Sequence, residues 1–356
     1  MSKKILIFIG SMSRGGAERV ISIISNDLAE RGWDVSVCML LSNSVDYRLS
    51  DKIKIVDLSG KTSSRLKHIP NWIFGIRKLV KNEKPDVILS FVARINIIVQ
   101  LACLGLKERI IVSERNDPYS DGRSKLVDML TYWLYPKADA VVFQTKRAEG
   151  YFEKRRLKNT YIITNPISVE CCAGTPVKGK IVSVGRLMPQ KNHKLLIDSA
   201  VEVHKSLPYV QLFIYGEGNM REELEEYTHT LEADNYVHFM GNVLNIHEKI
   251  SDAELFVLSS DYEGLSNALL EAMMMGLPCI STTCAGSDEY IESGENGILV
   301  PVKSREDMIS AIFKVLENDE LRTKLKNNAI NKASDYKKEK VIKMWYTLID
   351  NGGSDI

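Results

Sequence analysis

The sequence predicts an α/β protein built from two doubly wound, parallel-sheet domains in tandem. Three observations carry this. Short apolar runs alternate with segments of helical periodicity along almost the whole chain, the pattern of repeated βαβ units. The alternation breaks once, at Asn165-Pro166 and a stretch over 168–179 rich in Gly, Pro and Cys, and then restarts. A chain of 356 residues is long enough for two separate cores. The expected partition is 1–166 for the first domain, 167–179 for a linker, 180–334 for the second domain, and 335–356 for a closing helix.

Ile5–Ile9 is expected as a buried strand and Gly10–Glu18 as a glycine-bearing loop. Arg19–Arg31 follows as a helix, with Val20, Ile23, Ile24 and Leu28 on one side and Gly32 closing it. Asp34–Leu41 completes a βαβ unit, whose ligand edge lies at the carboxyl ends of its strands. Gly15 and Gly16 would let backbone approach a ligand there. No Gly-x-Gly-x-x-Gly fingerprint is present, and no acid stands where an NAD ribose would need one. Lys61–Lys84 carries Ile69, Trp72, Ile73, Ile76, Leu79 and Val80 at helical spacing, flanked by Arg65, Lys67, Arg77, Lys78, Lys81 and Lys84. A basic amphipathic helix of this kind serves either the core or an anionic membrane surface.

Asp86–Phe91 is the next strand, Ile95–Leu106 a helix and Arg109–Ser113 a strand. That strand ends in Ser113-Glu-Arg-Asn-Asp-Pro118, which makes Glu114 and Arg115 candidates for an acceptor or catalytic patch. Leu126–Tyr135 is an aromatic-rich helix, Ala140–Gln144 a strand, Lys146–Arg156 a basic helix and Tyr161–Thr164 a strand. After the break come strand Ile181–Val184, helix Leu195–Leu207, strand Val210–Tyr215 and helix Arg221–Ala233. Strand Val237–Met240, helix Ile246–Ser251 and strand Leu255–Ser259 lead into Glu263-Gly-Leu-Ser-Asn-Ala-Leu-Leu-Glu271, which opens a helix ending near Gly276. Cys279–Thr282 and Gly297–Val300 are strands. Arg305–Leu316, Glu320–Ala333 and Lys338–Ile349 are helices.

The bulk charge of +1 hides an asymmetry. Residues 1–168 hold 28 Lys/Arg against 17 Asp/Glu, a net of +11, and the remainder a net of −10. A basic half points to an anionic partner. The six cysteines form no Cys-x-x-Cys pair, so zinc and a disulfide framework are not expected, and a reducing, cytoplasmic compartment fits. The apolar run Ile5–Ile9 is too short for a signal sequence, and no stretch approaches the ~20 apolar residues that span a bilayer.

Four strand ends in the second half carry ligand-binding chemistry. Gly185-Arg186 with Lys191 supplies two cations suited to a diphosphate. Gly216-Glu-Gly218 permits close backbone approach. Gly241-Asn242-Val243 offers backbone groups to a base edge. The Glu263–Glu271 motif offers a helix N-terminus, where partner-less amides and the helix dipole favour anions. Asn267 and Glu271 stand four apart on one face, placed to accept from a sugar diol. Each alone could be a structural turn or a solvated acid; together at one sheet edge they describe a nucleotide-diphosphate pocket.

These motifs resemble those of glycosyltransferase family 4. Gly185-Arg-Leu with Lys191, Gly216-Glu-Gly218 and the spaced glutamates of Glu263–Glu271 carry the likeness, and Gly15-Gly-Ala-Glu-Arg19 is similar to the family's N-terminal donor loop. The resemblance covers essentially the whole chain. It implies a GT-B fold, with two Rossmann-like domains facing a cleft and the closing helix around Trp345 crossing back to the first domain. It implies that Arg186 and Lys191 hold the donor diphosphate, that Glu271 holds the ribose, and that Glu263 meets the transferred sugar. Asn242 and Val243 would meet the base, while Gly185, Gly216 and the run Leu265, Ser266, Asn267 and Ala268 line the donor. Gly15 and Gly16 would close over it from the other domain. Ser113–Pro118 resembles the bacterial subgroup that elongates lipid-linked oligosaccharides. Where many members carry a histidine, Arg115 stands here.

The reaction so implied is retaining transfer of a hexose or N-acetylhexosamine from a UDP-sugar to a sugar hydroxyl. UDP-GalNAc is the first choice of donor and UDP-Gal the second. The acceptor would be polyprenyl-diphosphate-linked, on an anionic membrane surface. No cofactor is expected, since the UDP-sugar is a co-substrate. Without an Asp-x-Asp sequence no dedicated metal clamp is expected either, and nucleic acid is not an expected partner. Three alternatives share part of the pattern: a UDP-sugar 2-epimerase of the same fold, a pyridoxal-phosphate phosphorylase, and a non-catalytic nucleotide-sugar-binding subunit.

Overall fold

A computed structural model describes residues 2–13, 15–60, 68–284 and 286–353. The chain divides into two compact units. The first comprises Met1–Pro166 together with Lys338–Ile356, and the second Ile167–Lys337.

The first unit is a seven-stranded sheet. Its strands are β1 (Lys4–Ile9), β2 (Asp34–Met39), β3 (Lys54–Asp57), β4 (Val87–Phe91), β5 (Arg109–Ser113), β6 (Ala140–Phe143) and β7 (Thr160–Ile162). They run in the order β3-β2-β1-β4-β5-β6-β7, and neighbouring strands pair in parallel. The central strands bury both faces, which explains why they appear in sequence as unbroken apolar runs rather than alternations. Helix α1 (Gly16–Glu30) packs on one side of the sheet through Val20, Ile24 and Leu28. On the other side lie α2 (Ile69–Glu83) and α3 (Ala93–Cys103), through Trp72, Ile76, Val80, Ile98 and Val99. The apolar side of α2 is therefore core. Lys61, Arg65 and Lys67, expected at the start of this helix, lie outside the described residues. Helices α4 (Lys125–Leu134) and α5 (Lys146–Tyr151) follow, the latter continued by a 3-10 turn over Glu153–Arg155.

The second unit repeats the plan with six strands. They are β8 (Lys180–Val184), β9 (Gln211–Tyr215), β10 (Val237–Gly241), β11 (Leu255–Leu258), β12 (Cys279–Thr282) and β13 (Ile298–Val300). Their order, β10-β9-β8-β11-β12-β13, is again all parallel. Helices α6 (His193–Ser206), α7 (Arg221–Thr230) and, later in the chain, α11 (Arg305–Leu316) cover one face. Helix α9 (Asn267–Met275) and α12 (Asp319–Ala333) cover the other. Two short helices, α8 (Ile246–Ile250) and α10 (Ser287–Tyr290), follow β10 and β12. Both sheets thus have the doubly wound order in which winding reverses once, between the first and fourth strands of the unit.

Two sequence expectations need correction. The strand β3 was not foreseen, since its four residues are mostly exposed at the sheet edge. The stretch 167–179 is no free linker: Ala173, Gly174 and Val177 donate their amides to the carbonyls of Met275, Ser251 and Asp252, at 2.7, 2.8 and 2.8 Å. It is bound along the second unit. Helix α13 (Lys338–Asn351) returns to the first unit, where Val341, Trp345 and Leu348 join the core beside Val20 and Phe91.

Candidate active site

The second sheet reverses its winding between β8 and β11, and the loops leaving these two strands meet in a polar cluster. The loop after β8 runs through Gly185 and Arg186 into a 3-10 turn, Pro189–Lys191. Asn192 then takes a left-handed conformation (φ 45°) and caps α6 by accepting from the Leu195 amide. The loop after β11 runs from Ser259 to Ser266. Six hydrogen bonds among the described residues bind the two loops together, the longest from Gln190 Nε2 to Glu263 Oε2 at 3.4 Å. Lys191 Nζ donates to Glu263 Oε1 at 2.5 Å and Ser259 Oγ to the Lys191 carbonyl at 2.9 Å. Asn192 Nδ2 donates to Asp261 Oδ1 at 2.8 Å, the Asp261 amide to the Gln190 carbonyl at 2.9 Å, and Gln190 Nε2 to the Tyr262 carbonyl at 2.8 Å.

Glu263 is only 7% exposed. The Lys191 ammonium and the Ser260 hydroxyl, at 2.7 Å, both donate to its Oε1, which compensates the burial of this side chain. Arg186 behaves differently. Its side chain is exposed, and among the described residues no carboxylate pairs with it. Its carbonyl lies 3.4 Å from Nε2 of buried His193. Burial pushes the His193 imidazole down to about 4, so it is neutral near pH 7 and braces the loop without adding charge.

The glycines act on one another. Gly216 (φ 141°) packs so closely that a Cβ would stand 1.9 Å from the Gly185 carbonyl oxygen, and one at Gly218 would stand 2.2 Å from that of Leu187. The close approach expected of Gly216-Glu-Gly218 is thus to the neighbouring loop. Gly216 also donates its amide to the Gly241 carbonyl at 2.9 Å. Gly185 lies under the Lys191 stem: its Cβ would be 3.1 Å from Lys191 Cε. Beyond Gly241, Asn242 is exposed and Val243 is half-buried against the α9 side of the core.

Helix α9 begins at Asn267, four residues later than Glu263, and Ser266 is its cap, accepting from the Leu269 amide. Leu265 and Ala268 flank that start and are half-buried. Glu271 is therefore one turn into the helix. Its buried carboxylate faces His247, with 3.5 Å between Nε2 and Oε2. The structure thus joins Gly185, Lys191, Gly216 and Glu263 at one sheet edge, and gives Glu271 a partner that sequence reasoning missed. Ser260, Gln190 and His193 were missed as well. Ser260 had a usable signal, as a hydroxyl at the end of an apolar strand.

In the first unit, Gly16 opens α1 and Gly15 precedes it in an extended conformation that any residue can adopt (φ −175°). The Tyr47 hydroxyl donates to the Gly15 carbonyl at 2.8 Å. Glu114 and Arg115 follow β5 and both are buried. Glu114 is wholly inaccessible, and its Oε2 accepts from the Tyr135 hydroxyl at 2.8 Å. Asn96 donates to that hydroxyl and to the Ser113 carbonyl, and accepts from Ser90 Oγ. Burial pushes the Glu114 carboxyl up to about 7, against the opposing pull of Arg123, 3.5 Å away, and of Tyr135. Arg115 donates to the Ile163 carbonyl and to Asn165, and stacks over Phe91. Both residues are buried rather than on the surface. Beside them Val92 takes φ 74°, strained for a β-branched residue, at the end of β4.

Two tandem Rossmann-like units of this kind define the GT-B architecture of glycosyltransferases. Residues 14–170 match the family described as Glycosyltransferase Family 4, and residues 176–332 match Glycosyl transferases group 1. The chain belongs to these glycosyltransferases and is an enzyme of that class. Two relatives come from Campylobacter jejuni. One, a GalNAc-α-(1→4)-GalNAc-α-(1→3)-diNAcBac-PP-undecaprenol α-1,4-N-acetyl-D-galactosaminyltransferase, is 27% identical over 97% of this chain and 98% of its own. The other, an N-acetylgalactosamine-N,N'-diacetylbacillosaminyl-diphospho-undecaprenol 4-α-N-acetylgalactosaminyltransferase, is 29% identical over 95% and 97%. Among solved structures, Anabaena Alr3699/HepE in complex with UDP superposes with a TM-score of 0.85, at 17% identity over 98% of this chain and 99% of that one.

Proposed function

We propose that this enzyme transfers an N-acetylhexosamine or hexose, GalNAc first and Gal second, from a UDP-sugar to a hydroxyl of a polyprenyl-diphosphate-linked sugar, with retention. Its place would be surface-glycan synthesis. The observation that carries the reading is the Lys191–Glu263 pair where the second sheet reverses its winding, beside the exposed Arg186. Leaving-group departure puts negative charge on the β-phosphate. Arg186, Lys191 and the first amides of α9 would meet it, and in many enzymes preorganised charge of this kind lowers the barrier more than any other effect. In this reading those groups supply the positive charge without a divalent cation. Glu271 holds the ribose, the backbone at Asn242 and Val243 the base, and Glu263 the transferred sugar. The names of the two Campylobacter relatives support the acceptor class, and the UDP complex of a structural neighbour supports the nucleotide.

The test is UDP release from a panel of UDP-sugars with an undecaprenyl-diphosphate-linked acceptor. UDP-GalNAc is expected to be consumed only when acceptor is present. Isomerisation of the donor without acceptor would replace transfer by epimerisation, and UDP binding without turnover on any acceptor would leave a non-catalytic subunit.

Membrane contact belongs to the same reading, on the face of the first unit that α4 exposes. Leu126, Met129, Tyr132 and Trp133 lie three and four apart on one side of that helix and are half to two-thirds exposed, Trp133 at 64%. Lys125 and Lys137 flank the stripe, in a half-chain of net charge +11. No helix among the described residues is long and apolar enough to cross a membrane, so contact would be peripheral. Anionic vesicles are expected to shift Trp133 fluorescence to the blue, with binding lost at high salt. A Leu126→Ser, Trp133→Ser double variant should bind about tenfold or more weakly. No binding to anionic vesicles at low salt would exclude this contact.

A further inference from the structure

His247, the second residue of α8, touches the proposed nucleotide site from behind and is itself buried. Its Nδ1 lies 3.3 Å from the backbone nitrogen of Glu170 and accepts that N–H. A neutral imidazole that accepts at Nδ1 carries its ring proton on Nε2. That nitrogen stands 3.5 Å from Oε2 of the Glu271 carboxylate, in contact but longer than a formed hydrogen bond. One ring of the short helix after the Asn242–Val243 turn therefore bonds to the stretch 167–179 and lies against the α9 carboxylate.

We propose that His247 is a positioning residue for the nucleoside half of the donor. It orients the Glu271 carboxylate toward the ribose diol and ties that carboxylate to α8, which follows the turn given to the base. The inference rests on the assignment of Glu271 to the ribose. A glutamate side chain free to rotate loses that freedom when it grips a ligand; one oriented beforehand has already lost it. A carboxylate has lone pairs enough to accept from His247 and from two hydroxyls together.

The test compares His247→Phe, His247→Asn, His247→Gln and Glu271→Ala, by UDP affinity in calorimetry and by donor kinetics. Asparagine can keep the acceptor for the Glu170 amide but offers no donor at the Nε2 position. Glutamine offers that donor. The Phe and Asn variants are expected to raise the Kd for UDP and the donor KM up to about tenfold, with kcat within about twofold. His247→Gln should recover most of the loss. Added to Glu271→Ala, His247→Phe should weaken UDP no further. If His247→Phe does not fold, the Asn and Gln pair still decides, because a merely structural role predicts no gain of Gln over Asn in UDP affinity. Wild-type KM in the Phe or Asn variant, with UDP weakened by Glu271→Ala, overturns the inference. Wild-type UDP affinity in Glu271→Ala overturns the ribose assignment instead.

Discussion

Lys191→Ala is expected to lower kcat about 10²–10³-fold at saturating donor, the range seen when one preorganised group facing developing charge is removed. Without ligand, Lys191 is neutralised by Glu263, 2.5 Å away, and both are largely buried. A diphosphate entering beside Gly185 would find Arg186 exposed and Lys191 already oriented, its stem lying against Gly185. Truncation removes the cation and leaves Glu263 with the Ser260 hydroxyl as its remaining short contact of this cluster. Loss of a buried partner also costs stability, about 3–5 kcal/mol in comparable pairs. Stopped-time assays should therefore accompany a melting curve, and a Lys191→Ala, Glu263→Ala double variant should regain stability without regaining turnover. A single variant that folds and turns over like wild type would remove Lys191 from the reaction.

Gly216→Ala should destabilise the second unit by about 2–4 kcal/mol, combining a strained backbone with a steric clash. The residue sits at φ 141°, a region closed to side chains, and the added methyl would meet a backbone oxygen at 1.9 Å. Backbone cannot swing aside as a side-chain tip can. The expected result is a melting transition lowered by about 5–15 °C. Gly15→Ala is the control. Its φ of −175° is open to alanine, and the nearest contact is the mobile end of Glu18. A Gly216→Ala transition within about 1 °C of wild type would contradict the packing described.

The doubly wound fold was legible because buried parallel strands write themselves as apolar runs. Arg109–Ser113, Cys279–Thr282 and Arg305–Leu316 were placed to the residue. β3 was not, because an exposed edge strand carries no apolar run. The stretch 168–179 looked like a linker because Gly and Pro mark irregular backbone but do not say whether that backbone is docked. Within the site, Arg186, Lys191, Glu263 and Glu271 were visible as charged residues at strand ends. What composition could not show was pairing: that Lys191 answers Glu263, that Gly216 serves Gly185, and that Glu271 meets a histidine 24 positions earlier in the chain. Those relations depend on which loops the sheet order makes neighbours. Glu114 and Arg115 looked like surface candidates from their place after β5. The Tyr135 hydroxyl and the Ile163 carbonyl, which draw them inward, are remote in sequence.

The packing of Trp345 has a consequence for the order in which this chain can acquire its structure on the ribosome. Trp345 is buried against Phe91, with ring centroids 5.6 Å apart, in the same core as Val20 and Leu28. The second unit is continuous in sequence, from Ile167 to Lys337, and is synthesised whole before α13 is made. The first unit begins synthesis earlier and finishes later. Its sheet must wait, with the apolar cleft for Trp345 unfilled, through the translation of 171 intervening residues, roughly 10–35 s at ordinary elongation rates. For that interval the nascent first unit is the part of the molecule most in need of protection from aggregation.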